Sequence, residues 1–122
     1  MLKGDFYHII QPIVSTEKGY KCRIGLHENH DIFKGHFPGQ PVVPGVCMMA
    51  IVREMLEEIT GRNLVMSSTS AMKFLTMIDP SKNPEIDVEV RFTSAEDGTV
   101  TADGSLTFES ITFFKISKAI YR

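Results

Sequence analysis

Hydrophobic and polar residues alternate along most of this chain, and the alternation is interrupted by one helical stretch. From Asp5 to Val14 the sequence is rich in Phe, Tyr and Ile. After a turn at Glu17, Lys18 and Gly19, Tyr20, Cys22, Ile24 and Leu26 alternate with Lys21, Arg23, Gly25 and His27. A two-residue period marks strands with one face wetted, so the chain opens with a predicted hairpin. Glu28 to Lys34 is polar around Ile32 and Phe33. Strand character returns from about Asn63 to Met77, where Leu64, Met66, Met72 and Phe74 share one parity. Ile86, Val88, Val90 and Phe92 alternate with Asp87, Glu89 and Arg91 to give a third clear strand, over 85–93. Asp97 and Gly98 signal a hairpin turn. Two further strands follow, Thr99 to Phe108 and Ile111 to Tyr121, joined at Glu109 and Ser110, with Gly104 as a bulge or bend inside the first.

Between the two sets of strands the character changes. Pro38, Pro41 and Pro44 recur at every third position, with Gly35, Gly39 and Gly45 around them. Proline lacks an amide hydrogen and fixes its own φ, so this stretch is stiff and extended and is neither helix nor central strand. Pro44 suits the first turn of a helix, and good helix formers then run to Thr60 and Gly61, where glycine is a natural stop. Val46, Cys47, Met48, Met49, Ala50, Ile51 and Val52 are apolar on every side of the wheel, so the start of this helix is expected to be enclosed all round. Its first amides, from Gly45 onward, then point into a dry place suited to a carbonyl oxygen or an anion. Glu57 and Glu58 read as its wet end.

The order is strand, strand, helix, then four strands, the first of which can divide in two. This predicts an α+β fold in which an antiparallel sheet wraps one helix. With 122 residues the chain fits a single domain over 1–122 that needs neither disulfide nor metal to build its core. The composition is 43% hydrophobic and 23% charged, and the net charge of −2 provides no general attraction to nucleic acid or an anionic membrane. The N-terminus lacks the apolar core of a signal peptide and no apolar run is long enough to span a bilayer, so the expected location is the cytoplasm. Cys22 and Cys47 lack paired-motif spacing and read as reduced, small apolar residues. His27, His30 and His36 match no standard metal spacing, and no cofactor is expected.

The residues Asn29, Phe33, Gly35, His36, Phe37, Pro38, Gly39, Pro41, Pro44, Gly45 and Val46 resemble the signature of the hot dog fold 3-hydroxyacyl-[acyl-carrier-protein] dehydratases. The likeness in strand order extends over nearly the whole chain. Family members usually carry a short helix before the first strand, so the N-terminus reads as trimmed by comparison, and the segment from Ala71 to Pro80 resembles the family's post-helix strand but lacks its usual arginines. The resemblance implies a hydro-lyase that removes water from a 3-hydroxyacyl thioester on acyl carrier protein or coenzyme A. It also implies a homodimer or higher oligomer with an acyl tunnel at the subunit interface. His36 matches the histidine that takes the C2 proton, and Gly45 matches the residue whose N–H polarises the thioester carbonyl. Phe33, Phe37, Pro44, Val46, Ala50 and Phe74 are the expected substrate-binding residues.

The resemblance breaks at the acid. Fourteen residues after His36, where the family carries glutamate or aspartate, this chain has Ala50. The nearest carboxylate on the helix is Glu54, about 40° round the axis and about 6 Å further along. Three readings stay open. Glu54 serves as the acid directly or through water; a second hot dog subunit supplies the acid in a heterodimer; or the chain keeps the acyl-binding shape without dehydration. A thioesterase, which the same fold supports, is the alternative enzyme.

Overall fold

The computed structural model describes residues 2–35 and 41–122. Its elements are β1 (Tyr7–Thr16), β2 (Gly19–Leu26), α1 (Ile32–Gly35), α2 (Gly45–Thr60), β3 (Met66–Ser68), β4 (Ala71–Phe74), β5 (Glu85–Ser94), β6 (Val100–Phe108) and β7 (Ile111–Tyr121). The strands form one seven-stranded sheet in the order β1-β2-β5-β6-β7-β3, with β4 also paired to β7, and every strand pair is antiparallel. Helix α2 lies against β5 and β6. This is the helix-in-sheet architecture predicted from the alternation, and the segment after the helix is indeed split, into β3 and β4.

The inner face of the sheet is the parity read from the sequence. Cys22 and Ile24 of β2, Ile86, Val88 and Val90 of β5, and Val100, Ala102 and Leu106 of β6 are buried with Ile51, Val52, Met55 and Leu56 of α2. Full burial of one such aliphatic side chain contributes roughly 1.5–3 kcal/mol, so this layer is the main source of stability. The helix approaches the sheet most closely at Gly104, where a Cβ would stand 2.8 Å from Val52 Cγ1 and 3.3 Å from Ile116 Cγ2. The bulge expected near Gly104 is present, but the extra residue belongs to the partner strand. Between Ala102 and Gly104 the β7 register advances from Ala119 to Ile116, and Lys118 takes φ 47°. Asp103 accepts the Lys118 N–H at 2.9 Å and secures that kink.

Three expectations are corrected at element ends. The opening strand begins at Tyr7, because residues 4–6 form a turn in which the Gly4 N–H bonds the Tyr7 carbonyl at 2.6 Å. Pro44 is the N-cap of α2, with ψ 149°, rather than a residue of its first turn. Glu57 is half-buried and accepts the Leu64 N–H at 2.8 Å, so only Glu58 is freely wetted at the far end of the helix. The stop at Gly61 is as read, a left-handed C-cap with φ 70°.

Candidate functional site

The start of α2 is open on one side, contrary to the enclosure expected from its composition. Val46 is 71% exposed, and Met49 and Ala50 are half-buried. Cys47, Met48 and Ile51 do face the core. The sheet of one chain covers the core side of this helix and leaves the Val46 side bare. Phe74, Leu75 and Met77, at 53%, 53% and 69% exposure, continue the bare apolar surface.

Two hollows flank that surface. The first, of about 380 Å³, lies between the α2 N-terminus and the chain after β4, and its walls include Pro44, Gly45, Met48, Phe74 and Met77. Phe74 leans over Gly45 so closely that a Cβ there would stand 2.9 Å from the ring, and the ring packs on Phe114 at 5.0 Å between centroids. Only glycine permits this approach of an aromatic wall to the helix start. Pro44 makes no side-chain cap; its carbonyl accepts the Cys47 and Met48 N–H groups at 3.0 and 3.2 Å. The second hollow, of about 200 Å³, is bordered by Val46, Met49, Ala50, Arg53, Met66 and Tyr121.

Among the predicted site residues, Pro44, Gly45 and Phe74 therefore come together, and Val46 and Ala50 meet in the adjoining hollow. Phe33 does not join them. It is buried in the core with its ring 5.5 Å from that of Phe6. His36 and Phe37 lie outside the described residues. The chain leading to them is fixed by polar contacts that the sequence reading did not identify. His30 Nδ1 accepts the N–H of Ile32, the first residue of α1, at 3.0 Å, and His30 Nε2 bonds Asp5 Oδ2 at 3.0 Å. Beside them His27 Nδ1 bonds the Asp5 carbonyl at 2.7 Å and His27 Nε2 bonds His8 Nδ1 at 2.8 Å.

Glu54 is committed elsewhere. It is 3% exposed, and both carboxylate oxygens are occupied. Oε2 accepts the Leu2 N–H at 2.8 Å, while Oε1 accepts the Lys3 N–H at 3.0 Å and the Tyr7 hydroxyl at 2.9 Å. The Tyr7 pKa is driven upward by burial first and then by the Glu54 charge and hydrogen bond. Glu54 thus ties the N-terminal segment and β1 to the helix, and it borders neither hollow at the helix start. The sequence placed it near the face of Ala50; the side chain turns toward the N-terminal segment because three donors converge there. The partner Tyr7 was legible only as one more aromatic of the first strand.

The family model for ApeI-like proteins, described as ApeI dehydratase, matches residues 12–105. The chain is 30% identical to the 3-hydroxyacyl-[acyl-carrier-protein] dehydratase FabZ of Anoxybacillus flavithermus, with 90% of this chain and 87% of that protein covered. It is 28% identical to FabZ of Acetivibrio thermocellus, with 84% of each covered. Among solved structures, the dehydratase heterocomplex ApeI:P of Xenorhabdus doucetiae superposes with a TM-score of 0.60 at 22% identity, over 94% of this chain and 95% of that one. A protein of the thioesterase superfamily superposes with a TM-score of 0.62 at 12% identity, over 94% of this chain and 82% of that one. These likenesses establish the hot dog fold.

Proposed function

The chain belongs to the ApeI-like dehydratase family, and we propose that it works as the histidine-bearing half of a two-subunit dehydratase acting on 3-hydroxyacyl thioesters. The observation that carries this reading is the pairing of Ala50 with a tethered Glu54. The helix position that matches the family's acid holds a methyl group, and three donors hold the next carboxylate along the helix away from it. A homodimer of this chain would lack an acid at the matching position. A hot dog partner that carries one would complete the site, and the name of the similar heterocomplex supports such an arrangement. The bare surface of Val46, Phe74, Leu75 and Met77 is where that partner would seat.

In this mechanism the thioester enters beside Gly45. The Gly45 N–H donates to the carbonyl oxygen and stabilises the negative charge that develops on it. His36 takes the proton from C2, the C2–C3 double bond forms, and the C3–O bond breaks. The partner's carboxylic acid protonates the departing hydroxyl, which leaves as water, and the trans-2-enoyl thioester remains. Base, donor and acid are each needed because hydroxide is a poor leaving group.

The test is complementation between variants of this one chain. Wild type alone should show near-background water loss from 3-hydroxyacyl thioesters. Ala50→Glu should gain on the order of 10²- to 10⁴-fold, the usual contribution of a placed general acid. His36→Ala/Ala50→Glu alone should be silent, yet restore turnover when mixed with wild type. High activity of wild type alone that survives His36→Ala would remove the assignment. No gain from Ala50→Glu would favour a second reading, that of an acyl-binding subunit without dehydration, which Ala50 also supports.

A further inference from the structure

A cavity of about 550 Å³ lies on the other flank of α2, between β1, β2 and the C-terminal half of the helix. It shares no described lining residue with the two hollows at the helix start. Its origin is visible in the strand register. β1 pairs with β2 through Ile9 with Ile24, Gln11 with Arg23, and Val14 with Lys21. Ile10, Pro12 and Ile13 therefore have no partner on β2, and Cys22 has none on β1. Two register breaks so close together bow the strand out of its ladder, and Pro12 has no amide hydrogen with which to mend it. The cavity opens at the bow, with Pro12 and Ile13 on one side and Cys22 on the other.

The interior is apolar, formed by Ile9, Ile13, Cys22, Ile24, Ile51 and Met55. Its two deep polar groups, Tyr7 and Glu54, bond to one another and to the chain start. No buried side-chain oxygen or nitrogen among the described residues lacks a partner. Such a space has nothing to hold water in place. At the rim stand Lys3, Ser15 and Glu58, with Lys3 Nζ 3.6 Å from Glu58. Lys3, the one cation among the described lining residues, is already paired with Glu58, and Arg53 behind the wall lies 3.8 Å from Glu54, so no free cation waits at the entrance for a carboxylate or phosphate head. The volume lies within the range of roughly 300–1,000 Å³ typical of small-ligand pockets.

We propose that this cavity binds an uncharged aliphatic chain, with its body against Cys22, Ile24, Ile51 and Met55 and its end at the Lys3–Ser15–Glu58 rim. The site stands whether or not the dehydratase reading does. The chain could arrive free, as a neutral lipid, or as the tail of a tethered acyl group; the chemistry of recognition is the same.

The experiment is a titration of the full chain, labelled at isoleucine δ1 methyl groups, with 1-decanol, decanoate and decanoyl-pantetheine. Decanol should shift the methyls of Ile9, Ile13, Ile24, Ile51 and Ile59 saturably and leave Ile78 and Ile111 in place, and decanoate should bind at least about tenfold more weakly. Decanoyl-pantetheine shifting the same set assigns the tethered tail as the source, and its exclusion assigns the free chain. Ile13→Trp, which fills the bow, should abolish binding. The proposal is overturned if decanol shifts nothing up to its solubility, if its shifts fall on Ile78 and the Phe74 groove, or if decanoate binds equally well. These outcomes are read on wild type and do not depend on the variant folding.

Discussion

Replacing Glu54 by glutamine separates a clamp from a catalytic acid. The carboxylate receives two hydrogen bonds on Oε1 and one on Oε2. An amide oxygen at the Oε1 position keeps Lys3 N–H and Tyr7 OH, but the amide nitrogen then faces the Leu2 N–H donor to donor. Hydrogen bonds to a charged group are worth about 1.5–3 kcal/mol, and an orphaned donor costs about 1–3 kcal/mol. Because the Leu2 and Lys3 amides are only part-buried and can regain water, we expect a loss of about 2–4 kcal/mol, a large share of a stability of ~5–15 kcal/mol. Tyr7→Phe should cost about 1–2 kcal/mol, and the double variant should cost less than the sum, because the two side chains share one bond. Urea unfolding with unchanged slope measures all three. In the Ala50→Glu background, and at a temperature where the variant is folded, turnover should stay within about tenfold. A cost below ~0.5 kcal/mol for Glu54→Gln, or a fall in turnover beyond ~10²-fold, the drop expected for loss of a general acid, would contradict the clamp role of Glu54.

Gly104→Ala should destabilise by about 1–3 kcal/mol through overpacking against Val52, and Val52→Ala should recover part of that loss in the double variant; additive losses in denaturant unfolding would contradict the close approach. Burial, with a smaller contribution from Asp87, pushes the Cys22 thiol up to about 11, so the fold favours the protonated thiol. The associated stability is complete below pH ~9 and declines as pH rises through 11, and Cys22→Ser should remove that part of an alkaline unfolding profile. Nitrogen NMR should find His27 with its hydrogen on Nδ1, facing the Asp5 carbonyl, and neutral His30 with its hydrogen on Nε2, since Nδ1 accepts from Ile32; the opposite tautomer of His30 would contradict its role at the start of α1.

Much of this architecture was legible because it rests on short-range pattern. The parity of Ile86, Val88 and Val90 places them inside, the Glu109–Ser110 turn closes β6 onto β7, and Gly61 ends α2. What pattern cannot carry is the destination of a side chain that can turn two ways. Glu54 sits on the helix near the face of Ala50, and only the arrival of Leu2, Lys3 and Tyr7 from 47 to 52 positions away decides where its carboxylate goes. The enclosure expected for Val46 failed for a related reason: composition reports that a residue is apolar, not which chain covers it. The bow of β1 was likewise hidden, because Ile9, Ile10 and Ile13 look like an ordinary strand until their pairing with β2 is known.

That bow also governs what the outer margin of the sheet can do. β1 is the border strand, ten residues long, with Ile10 and Val14 partly bare, a shape that invites a neighbouring molecule to dock alongside and propagate fibrils. A strand interrupted at Ile9–Gln11 and again before Val14, with an imino acid at Pro12, offers no continuous row of donors and acceptors for such growth. The opposite border, β3 and β4, lacks that protection, so any lateral extension of the sheet by another polypeptide is steered to the side where Phe74 lies.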